Sequence, residues 1–147
     1  MGWQAIGESD LLTHISGAEL EQLRAAALAD GQEDPVSPSI AQVTATVRGY
    51  VAACARNRLS AEPGEIPDRL LEAACDMVVA AIIARIPGYD LDEKKKARYD
   101  NALALLRDVA ACRFSIEDPD SGADPGPAAE LVSSEERRAT REKLDGL

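Results

Sequence analysis

The chain has 147 residues, enough for one domain with a real core, and carries 26 acidic against 16 basic side chains, a formal charge of −10. Hydrophobic residues make up 46 % of it but aromatics only 3 %, so the core is built from Ala, Leu, Ile and Val, a mixture that favours helix over strand. So anionic a chain excludes ordinary binding to nucleic-acid phosphates, while allowing DNA to pass an acidic wall without adhering.

In chain order, Glu8 to Ile15 reads as a short helix. Ser16-Gly17-Ala18-Glu19 has capping-box spacing, and Leu20, Leu23, Ala27 and Leu28 follow at helical intervals. Asp30 to Ser37 holds Gly31 and Pro35 and is a loop. Ser37-Pro38 then predicts a helix start, with serine as cap and proline at the first helical position. Ile40, Val43, Val47, Tyr50, Val51 and Cys54 form one apolar face of that helix, which should end near Asn57, with Arg48, Arg56 and Arg58 off the face or at its end.

Ser60 to Ile66 reads as a loop around Pro63-Gly64, and Pro67 as the start of a third helix, with Asp68 in its first turn. Met77 to Ala84 is apolar on every side, which predicts a helix surrounded by others; Pro87-Gly88 ends it. Glu93 to Ala111 is a fourth long helix with Tyr99, Ala102, Leu103, Leu106, Val109 and Ala110 on its apolar stripe. Lys94, Lys95, Lys96 and Arg98 crowd its start, the unfavourable end of the dipole, and are either neutralised by Asp90, Asp92 and Glu93 or held for a partner. Arg113 to Ile116 is extended. Glu117 to Pro127 is acidic and rich in Pro and Gly, a linker, and Ser133 or Ser134 starts a last, highly charged helix. The expected fold is all-α: a small bundle of about four core helices, short N-terminal helices and an extended C-terminal arm. Residues 1–116 form the helical domain and 117–147 the acidic linker and arm.

Chemistry is hard to find. His14 is the sole histidine and reads as a packed or solvated side chain; the ten glycines never adopt phosphate-loop spacing; Asp90 with Asp92, and Asp118 with Asp120, lack calcium-loop spacing. No catalytic, cofactor-binding or metal-binding residues are assigned, and the chain reads as a binding protein rather than an enzyme. Cys54, Cys75 and Cys112 form no CxxC, and their odd number argues against a disulfide framework; all three are expected to be reduced, buried and slow to react. Met1-Gly2-Trp3-Gln4 does not open a secretory leader, and the longest apolar run is far short of the about 18 residues of a membrane span, so a cytosolic protein off the membrane is expected.

The stretch from Ser39 to Ile116 resembles the head–tail connector (adaptor, or head-completion) proteins of tailed bacteriophages, including the family found in Mu-like phages. An Ile40…Ala45…Val47-x-Gly49-Tyr50 helix carries the resemblance first, then Pro67-x-x-Leu70-x-x-Ala73-Ala74. Ala80…Arg85-x-Pro87, Lys95-x-x-x-Tyr99-Asp100-x-Ala102…Leu106 and Phe114-Ser115-Ile116 follow. Ile6 to Leu28 is similar to the family's opening short helices. Asn57 to Ile66 departs from the pattern, being acidic where the family has a longer Leu/Pro loop. The resemblance implies a ring of about twelve copies, closed by symmetry, at the capsid vertex below the portal protein. Such a ring extends the DNA channel without sequence-specific contacts and docks the tail or a stopper protein; it belongs to the virion after assembly in the host cytoplasm. Phe114 and Ile116 are expected to anchor the arm, and Arg137, Arg138 and Arg141 to meet acids of another subunit or the portal. The alternative is a small cytosolic helical protein–protein interaction module of the host.

Overall fold

Capping chemistry sets the first helices. In the computed structural model, which describes residues 2–27 and 33–119, Ser16 Oγ accepts a hydrogen bond from the Glu19 amide at 3.1 Å, and helix α2 runs Gly17–Ala27. Before it, the Asp10 carboxylate accepts from the Gly7 amide at 2.8 Å and holds the single turn of α1, Glu8–Leu11. Leu28 lies outside the described residues.

Helix α3 spans Val36–Ala53. It starts two residues earlier than the Ser37 cap predicts, because the Asp34 carboxylate takes the Val36 amide at 3.1 Å. Pro38 therefore sits third, still among the amides that have no partner within a helix. The far end is also earlier than Asn57. Cys54 turns extended, and Asn57 folds back to donate from Nδ2 to the Val51 carbonyl at 3.1 Å.

The described residues are mostly helical, as expected, but two short strands are added. β1, Trp3–Ala5, pairs antiparallel with β2, Glu65–Pro67, in the register Trp3↔Pro67, Gln4↔Ile66, Ala5↔Glu65. Pro67 thus closes a strand instead of opening a helix, and the last residues of the expected 60–66 loop belong to the sheet. Asp68 fixes this pairing. Its amide donates to the Gly2 carbonyl at 2.8 Å, and its carboxylate accepts from the Gly2 amide at 3.1 Å and Gln4 Nε2 at 2.7 Å. A 3-10 turn, Asp68–Leu70, leads into α4, Leu71–Ala84.

Helix α4 packs against α1, α2, α3 and α5. Met77, Val78, Val79, Ala80, Ile82 and Ile83 are buried, as its all-apolar sequence predicts, though Ala84 reaches solvent. Opposite it, α3 contributes Val43, Val47 and Val51, and α5, Glu93–Ala110, contributes Ala102, Leu106 and Val109. The basic start of α5 is answered by carboxylates: Lys95 Nζ lies 3.0 Å from Glu19 and 3.2 Å from Asp92, and Lys96 lies 3.3 Å from Asp100. The hydrogen bond to Glu19 raises the Lys95 ammonium above its ordinary pKa, while the Lys95 amide lowers the Asp92 carboxyl.

Candidate functional site at the C-terminal strap

The end of α5 is built by its backbone. The Cys112 amide donates to the Val109 carbonyl at 3.0 Å and the Arg113 amide to the Asp108 carbonyl at 2.8 Å, the paired bonds of a Schellman turn. That turn needs a left-handed residue, and Cys112 supplies it with φ +64°, the one positive φ outside glycine among the described residues. Glycine does this freely; a side chain there costs roughly 1–2 kcal/mol.

Cys112 is bonded to Cys54 as a disulfide, with the two Cα atoms 5.4 Å apart across a sequence separation of 58. This corrects the expectation of three reduced, buried cysteines. Both residues follow the ends of their helices instead of lying within them, and the packing of α3 on α5 brings those ends together. Cys75 keeps the expected character: it is free and buried, and burial pushes its thiol up to about 12.

Beyond the disulfide, residues 113–119 run as a strap over the N-terminal sheet, held by side chains from distant parts of the chain. Arg56 Nη2 donates to the Cys112 carbonyl at 2.8 Å, Arg69 Nη1 to the Ser115 carbonyl at 3.1 Å, and Trp3 Nε1 to the Glu117 carbonyl at 2.9 Å. Arg69 Nε also pairs with the Glu117 carboxylate at 3.2 Å, and Arg58 approaches Asp118 at 3.7 Å. Phe114 and Ile116, the predicted anchors, are half-buried against the core, as their alternation requires. Glu117 and Asp118, which composition assigns to the linker, are held in place. Arg137, Arg138 and Arg141 lie outside the described residues.

Sequence reasoning passed over Trp3, Arg56 and Arg69. Trp3 carried a signal, as the chain's one tryptophan. It is also covered by Arg48, whose guanidinium carbon stands 5.6 Å from the ring centroid. The same guanidinium donates to the carbonyls of Ser60, Glu62 and Glu65 at 2.8–3.0 Å and gives the acidic 57–66 segment its shape. Alongside lies an open groove of about 570 Å³ lined by Ile6, Val36, Ile40, Thr44 and Pro63.

His14 is packed, as expected: its side chain is 10 % exposed, and Nδ1 lies 2.8 Å from Asp76 Oδ1. Among the described residues no group of three or more His, Cys, Asp or Glu side chains is placed to hold a metal ion. None of their helices is long and apolar enough to cross a membrane.

Compared with protein families, the chain matches over residues 6–134 the model described as Bacteriophage Mu, Gp36. No curated protein matches it.

Proposed function

As the chain belongs to the bacteriophage Mu Gp36 family, and so is a protein of Mu-like phages, we propose that it is a structural component of the virion: a head–tail connector. Copies of it form a ring of about twelve by closed symmetry, seated below the portal protein at the capsid vertex. The ring continues the DNA channel and presents a docking surface to the tail or to a stopper protein. The family match is the observation that carries this reading.

The physical character of the chain supports it. With 26 acids against 16 bases the protein repels phosphate, which lets DNA slide through without adhering. The C-terminal stretch from Glu117 to Leu147 holds nine acids and four bases. Such a composition offers little apolar surface for a core of its own and suits docking on a partner. In this reading the arm reaches the neighbouring subunit or the portal, with Phe114 and Ile116 fixing its root and Arg137, Arg138 and Arg141 meeting acids there. The protein performs no catalysis and needs no cofactor.

Mixing the purified chain with its portal protein and weighing single particles tests the proposal. Portal-bound rings are the expected product; a chain that stays monomeric and unbound at micromolar concentration contradicts it.

A further inference from the structure

Cys112 occupies a backbone position where glycine is the unstrained choice, and its side chain there is spent on one contact, the bond to Cys54. That bond sits at the root of the strap. We propose that the Cys54–Cys112 disulfide is a redox latch: oxidised, it holds residues 113–118 on the N-terminal sheet, and reduced, it releases them while the helices stay folded.

Two kinds of packing meet at this point. The helices are held by wholly buried side chains, Val47 and Val51 of α3, Val78 and Ile82 of α4, Leu106 and Val109 of α5. The strap is held otherwise, by side chains reaching single carbonyls, by the ion pairs of Arg69 with Glu117 and Arg58 with Asp118, and by half-buried Phe114 and Ile116. Arg69, which makes two of its contacts, has a side chain 57 % exposed. Segments held in this way open locally at far lower free energy than a core does. The covalent bond is the strongest restraint at the root of the strap.

Access favours exchange at one sulfur. Cys112 is half-buried and Cys54 is buried, so a reductant reaches Cys112. A thiolate of a dithiol reductant attacks Cys112 Sγ and forms a mixed disulfide; the bond to Cys54 breaks, and Cys54 leaves as a thiolate that takes up a proton. The second thiol of the reductant then displaces Cys112 and closes the reductant's own disulfide. Two electrons and two protons pass to the protein, and an oxidant of the disulfide class runs the exchange in reverse. A chain carried from a reducing compartment to an oxidising one changes state on the way. The latch does not depend on the connector reading.

Trp3 makes the test direct, because the chain's only tryptophan donates to the strap at Glu117. The full-length protein is compared before and after dithiothreitol by tryptophan emission, amide exchange read by mass spectrometry, and far-UV circular dichroism. Reduction should shift emission to the red and speed exchange at residues 114–118 by about tenfold or more, with helicity unchanged, and reoxidation should restore both. Cys112→Gly keeps the left-handed turn and removes the bond, so it should behave as reduced without any reductant; Cys54→Ser should match it. Unchanged emission and exchange on reduction would overturn the latch. So would loss of helicity, which would make the bond a staple of the whole fold, or three alkylatable thiols in protein prepared without reductant.

Discussion

Arg48 is the only charged residue of α3, and it is turned inward on three carbonyls and an indole. Replacing it by alanine leaves those carbonyls without their donor and should cost roughly 1–3 kcal/mol in denaturant titration. Lysine should not rescue it, since a single ammonium cannot span three acceptors. Ile82, wholly buried in α4, should lose roughly 2–5 kcal/mol on truncation to alanine; a loss under about 1 kcal/mol would contradict its central place. At Asp34 the account predicts a pH dependence. The hydrogen bond from Arg24 holds the Asp34 carboxyl below its ordinary 3.8. A carboxyl depressed by folding contributes stability that is complete above the unfolded value and is lost as pH falls through the folded one. The gap in melting temperature between wild type and Asp34→Asn should therefore be present at pH 6 and close progressively below 3.8. A gap constant with pH would show that the ion pair is not its source.

At the scale of elements, helices were legible where apolar spacing was long and caps were explicit. The Ser16 cap, the buried stripe of α4 and the extent of α5 follow from local chemistry. The sheet was not legible: three-residue strands carry no periodicity, and their pairing joins Trp3 to Pro67 across most of the N-terminal half. The disulfide escaped for a related reason. Cysteine reads as a small apolar residue inside a helical pattern, and only the tertiary meeting of two helix ends tells a bonded pair from buried thiols. At the candidate site, the alternation that half-buries Phe114 and Ile116 was legible, whereas the groups that hold the strap come from distant elements. Asp68 carries the sheet's local prediction. Asp68→Ala removes the acceptor for Gly2 and Gln4, and amide exchange at residues 3–5 should speed up while that of α4 and α5 does not. Equal loosening of the helices would mean that the sheet supports the core.

For the whole molecule, the proposed role assigns partner binding to the charged stretch from Glu117 to Leu147. Cutting the chain after Pro119 should leave the melting temperature of the body nearly unchanged and abolish ring formation and portal binding. A truncated chain that still assembles would make the region dispensable. The most direct measurement of the central claim is an image reconstruction of the portal vertex in assembled particles. The account predicts a ring of this chain between the portal and the tail, enclosing the DNA channel. Particles whose vertex density is filled by other proteins, with this chain absent from them, would contradict it.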